Sequence, residues 1–191
     1  VGLTLAVAMA SVGFRVMAVE RRIDIANSLR SGKPQFYEPK LAEELMRLLA
    51  SGRLDILDSV SQSENASVYI ITVGTPLDAN GQVRLDMVEH AVREVAEHGQ
   101  AGSLVVMRST LRLGTTRKIV APILELTGKG FELAFCPERT LEGQALSELP
   151  YLPQIIGGLN HNASIRAANL FQWLTSTVVS VSEPETAEMI K

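Results

Sequence analysis

One cysteine in 191 residues, Cys136, leaves no partner for an internal disulfide. The three histidines, His90, His98 and His161, stand far apart with no cysteine or carboxylate cluster at ligand spacing, so they read as surface residues, not metal ligands. Aromatic residues make up only 5% of the chain, and the lone tryptophan, Trp173 in "ANLFQWL", reads as core or interface packing. Apolar runs such as "VYIITV" and "SLVVM" stop far short of the roughly 20 residues that cross a bilayer, so no membrane-spanning helix is expected. Basic residues are scattered, and 18 Lys and Arg against 21 Asp and Glu give a net charge of -3, which makes nucleic acid an unexpected partner. No basic region followed by an apolar stretch and a cleavage site opens the chain, and a cytoplasmic location is expected.

What is present is a core-sized apolar fraction, 46%, arranged in a regular alternation. Short strand-like runs at 15–20, 54–57, 68–73, 103–109, 132–136, 154–158 and 177–182 alternate with helical patterns near 3–12, 21–31, 39–51, 86–98, 115–127, 162–174 and 184–191. Continuous apolar strands separated by helices predict an α/β fold: a Rossmann-like, doubly wound, mostly parallel sheet with helices on both faces. Two loops, 31–40 and 75–83, carry more polar and turn residues than a connection needs and are candidate ligand loops.

Gly2 heads a small-residue helix that leads to a strand ending at Glu20, a layout matching the last glycine of G-x-G-x-x-G together with the helix and strand beyond it. Such a glycine lets helix and strand approach closely, and the carboxylate accepts hydrogen bonds from an adenosine ribose. An ordinary βα unit with a packing glycine and a solvated glutamate explains the same pair. Arg21 and Arg22 could accommodate a 2'-phosphate, but Glu20 would repel one, which points to NAD. Since the first strand and glycines of that motif do not appear, and "EPETAEMIK" carries no C-cap signal, the sequence is expected to be an excerpt.

In "TVGTPLD" Gly74 and Pro76 turn the chain at a strand's C-terminal edge, where open α/β sheets bind ligands, and set the Thr75 hydroxyl there. "RSTLRLGTT" places Ser109 and Thr110 at the end of the next strand, with Thr115 as the expected N-cap of the following helix. In "CPERTLEG" Glu138 and Glu142 follow a third strand; together they could hold a water or a polar ligand, and a desolvated one could serve as a base. An exposed acidic loop is the alternative. Cys136 ends an apolar strand and reads as packed and inert.

Taken in order, "VGLTLA", "GKPQFYEPKL", "VGTPLD", "RST" with "GTT", "CPERTLEG", "IIGG" and "E-x-x-E-M-I-K" resemble the UDP-glucose/GDP-mannose dehydrogenase family, specifically its N-terminal NAD-binding domain. "CPER" followed by "LPQIIGG" is more similar to members acting on UDP-N-acetylated hexosamines than to the UDP-glucose branch. The resemblance implies NAD-dependent oxidation of a sugar C6 alcohol to a carboxylate in two steps, through a thiohemiacetal and a thioester on a cysteine located beyond Lys191. It implies that Thr110 and Glu138 position and activate the water that hydrolyses the thioester, and that Lys191 stabilises the developing oxyanion. Leu141 would line the sugar site with Glu138 and Lys191, while Gly2, Glu20, Gly74, Thr75, Pro76, Thr110 and Glu142 would meet the cofactor. It also implies a UDP-sugar partner, a homo-oligomer, an NAD-binding domain over 1–182 and the start of a connecting helix over 183–191. A β-hydroxyacid or 6-phosphogluconate type dehydrogenase, which lacks "CPERTLEG", and a nucleotide-binding module without chemistry are the alternatives.

Overall fold

The computed structural model describes residues 1–191. In chain order the elements are α1 (Gly2–Ser11), β1 (Val16–Val19), α2 (Ile23–Arg30), α3 (Leu41–Ala50), β2 (Leu54–Leu57), β3 (Val68–Ile71), α4 (Asp86–His98) and β4 (Leu104–Met107). A π-helical stretch at Thr116–Val120 leads into α5 (Ala121–Glu125), followed by β5 (Glu132–Phe135), α6 (Ala145–Glu148), β6 (Gln154–Gly158), α7 (His161–Phe171), β7 (Val178–Val181) and α8 (Pro184–Met189). All seven expected strands form. The chain divides into two compact units, one of Val1–Glu64, Thr140–Leu152 and Trp173–Ser176, the other of Asn65–Arg139, Pro153–Gln172 and Thr177–Lys191.

In the first unit β1 and β2 pair in parallel, Val16 opposite Leu54 and Val19 opposite Leu57. The spacing in "LAEELMRLLA" puts Leu41, Leu45 and Leu48 on one face of α3, and all three are fully buried. They close a core with Ala6, Val7 and Ala10 of α1 and with Ile25, Ala26 and Leu29 of α2. The alanines keep α1 thin enough to lie close to its neighbours. Trp173 does not join this core: it is 64% exposed and meets the Phe14 ring edge-on at 5.9 Å.

The second unit is a five-stranded sheet in the order β3-β4-β5-β6-β7. Every pairing is parallel except β5 with β6. β4, an unbroken apolar run, and β6, apolar after Gln154, are buried along their whole length, as strands covered on both faces are. Gly157 and Gly158 show the two covers at once. A Cβ on Gly157 would run into the Glu183 carbonyl oxygen and stand 2.7 Å from Pro184 Cα, at the start of α8; one on Gly158 would meet Ser164 in α7. Successive strand residues face opposite ways, so α8 and α7 lie on opposite faces of β6. This is the doubly wound arrangement expected from the sequence.

Candidate functional site

In the second unit the C-terminal ends of three neighbouring parallel strands converge. Arg108 and Cys136 each follow a strand by one residue and extend its ladder, Arg108 N–H donating to Ile71 O at 2.9 Å and Cys136 N–H to Met107 O at 2.9 Å. The Thr75 hydroxyl donates to Thr110 O at 2.9 Å, and the Ser109 hydroxyl to Val73 O at 2.7 Å. The hydroxyls expected at these strand ends therefore tie adjacent turns to each other. Ser109 is buried by this, whereas Thr110 stays exposed.

Glu138 is 3% exposed, so the expected desolvation is present, but the carboxylate is not alone. Its Oε2 accepts from Arg108 Nη2 at 2.8 Å and Nε at 3.1 Å, and its Oε1 accepts from Arg139 N–H at 2.8 Å. Two charges buried this deeply are tolerated only when the remaining donors are also satisfied. Arg108 Nη1 accordingly donates to Gln154 Oε1 at 3.0 Å and to Cys136 O at 3.2 Å, and the guanidinium lies 5.0 Å from the centroid of the Phe171 ring. Arg108 and Gln154 lie in the stretches "RST" and "LPQIIGG", but the sequence gives neither a role. The available signal is a cation closing the otherwise apolar strand "SLVVM".

Lys191 Nζ donates to the backbone carbonyl of Glu138. Partial removal from water holds its ammonium below the usual lysine range; the Glu138 carboxylate opposes that shift, while Arg108 and Arg139 add to it. Lys191 is brought there by α8, whose position is fixed by Glu188, a residue of the stretch "E-x-x-E-M-I-K" to which the sequence gives no role. The buried Glu188 carboxylate accepts from the Gly114 and Thr116 amides and from the Thr116 hydroxyl at 2.6 Å. This corrects the expected cap. Thr115 is helical and buried, with no side-chain cap bond, and the orphan amides are met by Glu188 because a carboxylate accepts several donors at once.

Cys136 is fully buried, and burial pushes its thiol up to about 11 against the pull of Arg108. It is protonated at neutral pH, in keeping with a packed, inert cysteine. His90, His98 and His161 are exposed.

In the first unit Gly2 opens α1, and Glu20 follows β1 with its N–H donating to Leu57 O at 3.0 Å. The partly exposed Glu20 carboxylate accepts from Arg22 N–H at 2.9 Å, which fixes it at the strand's C-terminal end. Leu141 and Glu142 are exposed. They precede α6, which is held by Leu146 N–H donating to the buried Glu38 carboxylate at 2.9 Å, while Leu141 N–H donates to Glu148 at 2.8 Å. Glu142 and Glu138 thus stand in different surroundings, one exposed and one buried in an ion pair.

Residues 1–175 match the NAD binding domain of the UDP-glucose/GDP-mannose dehydrogenase family. The chain belongs to that family. A relative from Pyrococcus horikoshii, a UDP-N-acetyl-D-mannosamine dehydrogenase, is 33% identical over 195 residues that take in all of this chain and 46% of the relative. The solved structure of UDP-D-ManNAc dehydrogenase from that organism superposes with a TM-score of 0.94, covering 100% of this chain and 46% of that one at 33% identity. A UDP-glucose dehydrogenase from Pyrobaculum islandicum gives a TM-score of 0.92 at 32% identity, over 99% of this chain and 45% of the other. The chain thus spans less than half the length of these relatives. The family's NAD binding domain takes in Gly2, Glu20, Gly74, Thr75, Pro76, Thr110, Glu138, Leu141 and Glu142; Lys191 lies past it, within the whole-chain matches. No helix is long and apolar enough to cross a membrane.

Proposed function

We propose that the protein is a nucleotide-sugar 6-dehydrogenase that oxidises the C6 alcohol of a UDP-sugar, specifically a UDP-N-acetylhexosamine, to the uronate with NAD. The observation that carries this reading is the buried Glu138 carboxylate at a strand's C-terminal end with Lys191 bonded to its backbone, in a chain that matches UDP-N-acetyl-D-mannosamine dehydrogenases over its whole length. A buried carboxylate and an ammonium at one strand end suit acyl chemistry, in which water must lose a proton while an oxyanion develops.

The residues fit the cofactor. Glu20 offers carboxylate oxygens that suit a ribose diol and repel a 2'-phosphate, and Gly2 opens α1 without a side chain. NAD, when bound, accepts the hydride in each of the two oxidations. Glu142 and Thr75 are assigned to its nicotinamide ribose side and Gly74, Pro76 and Thr110 to cofactor binding, and Thr75, fixed on Thr110 O, orders that turn. In the subsequent hydrolysis, Glu138 takes a proton from water as the water oxygen attacks the thioester carbon, Thr110 orients that water, and the oxyanion collapses with the C–S bond broken and the sulfur leaving as thiolate, which regains the proton held by Glu138. Lys191 offers its ammonium to the oxyanion, and Leu141 contacts the sugar. Residues 1–182 serve as the NAD-binding domain and 183–191 begin the connecting helix. The reading places the enzyme in the cytoplasm as a homo-oligomer.

Full-length protein given UDP-N-acetylmannosamine and NAD is expected to release two NADH per uronate formed. A yield of one NADH, with the aldehyde as product, would remove the hydrolytic role assigned to Glu138 and Lys191. NAD is expected to be preferred over NADP, and Glu20→Ala to narrow the preference by about tenfold, the worth of one hydrogen bond to a charged group. Equal kcat/KM for the two cofactors in the parent would sink the assignment of Glu20.

A further inference from the structure

We infer that Arg108 is a positioning residue for the hydrolytic half of the reaction: it fixes the orientation of the Glu138 carboxylate by clamping Oε2 from one side. This rests on the reading of Glu138 as the group that activates water.

Arg108 is 1% exposed, and every restraint on its guanidinium comes from a part of the second unit that cannot easily move. Its backbone is held in the sheet by Ile71 O. Nη1 is anchored on the Cys136 carbonyl beyond β5, at 3.2 Å, and on Gln154 in β6, at 3.0 Å; the Cys136 sulfur is 3.3 Å away and the Phe171 ring of α7 covers the flat face. What remains, Nε and Nη2, points at a single oxygen, Glu138 Oε2. With one oxygen pinned by two donors and the other facing Arg139 N–H, the carboxylate plane cannot rotate.

Stability alone does not account for this arrangement. An apolar side chain of similar volume fills such a site at no desolvation cost, and replacing buried ion pairs in that way is often neutral or stabilising. The network does provide direction, which a general base needs, since about 1 Å of misplacement can cost on the order of a hundredfold in rate. Lysine cannot substitute, because a point charge on a flexible stem does not reach Glu138, Gln154 and Cys136 O at once.

The test uses the full-length protein. Arg108→Lys is expected to slow thioester hydrolysis by about a hundredfold, while the first hydride transfer and the KM values for NAD and UDP-sugar stay within about threefold. A covalent sugar adduct should then accumulate in the intact mass. Gln154→Met, which keeps the ion pair and removes one anchor, should give a smaller defect confined to the same step. The double variant Arg108→Lys/Glu138→Gln should hydrolyse no more slowly than Glu138→Gln alone, because the two residues act as a unit. Losses spread evenly over both oxidations, raised KM values without adduct, or additive effects in the double variant would overturn the inference. If Glu138→Gln itself leaves no adduct, it is the base assignment that fails. An adduct in Glu138→Gln and none in Arg108→Lys or Gln154→Met defeats the role of Arg108 alone.

Discussion

Glu138→Gln is expected to leave the first hydride transfer nearly intact and to stall the enzyme as a covalent sugar adduct. The amide preserves volume and can still accept from Arg139 N–H, but it cannot take a proton from water, and loss of a general base typically costs about a hundredfold to ten-thousandfold. The substitution has a second consequence that the buried ion pair dictates. Arg108 would keep its charge with no anion beside it, and stripping one partner from a buried pair destabilises by roughly 3–5 kcal/mol. A lower melting temperature is therefore expected together with the adduct, and the mass measurement belongs below that temperature. Slow turnover without an adduct in a protein that is still folded would move Glu138 from chemistry to architecture.

Gly157→Ala is expected to loosen α8 and with it Lys191. The added methyl would press on the Glu183 carbonyl oxygen and on Pro184 Cα at 2.7 Å, both main-chain atoms that no rotamer change can move aside. Either β6 or the start of α8 must shift. Overpacking of this kind costs roughly 1–3 kcal/mol, which for a chain of this size lowers the melting temperature by about 2–12 °C. The displacement would be carried along the six residues of α8 to Lys191, so the hydrolytic step should weaken as well. Thermal unfolding monitored by circular dichroism checks the first effect and single-turnover hydrolysis the second. An unchanged melting temperature would mean that the strand and helix are less tightly apposed than described.

The strands were legible because an unbroken apolar run such as "LVVM" has few alternatives to burial between helices. Their mostly parallel direction was legible from the helices between them, but the one exception was not. An apolar run reads the same either way, and the antiparallel pairing of β5 with β6 depends on how the segment between them returns, which periodicity does not encode. Among the site residues, Thr75, Thr110 and Glu138 announce themselves as polar groups at strand ends, where an apolar pattern breaks. Arg108 breaks the pattern just as visibly, but hydroxyls beside it draw attention first, and only the fold shows that it sits within reach of Glu138 and Gln154, 30 and 46 residues away. Glu188 is hidden for a similar reason. On a helix an isolated glutamate looks solvated, and its partners Gly114 and Thr116 lie more than 70 residues earlier. Of the two places expected for Trp173, core and interface, the core is excluded: size and hydrophobicity describe a tendency to burial, whereas its place at the margin of a small unit leaves much of the ring exposed.

The grip of Glu188 also sets how this part of the molecule can open. The carboxylate on α8 meets the Gly114 and Thr116 amides and the Thr116 hydroxyl, so the docking of α8 and the order of that turn rest on the same bonds. Undocking it would break three hydrogen bonds to a carboxylate and release the Gly114 and Thr116 amides in the same event. Local unfolding of α8 and of the turn beyond Thr110 is thus one cooperative transition, and amide exchange at Gly114 and Thr116 reports on whether Lys191 is in place.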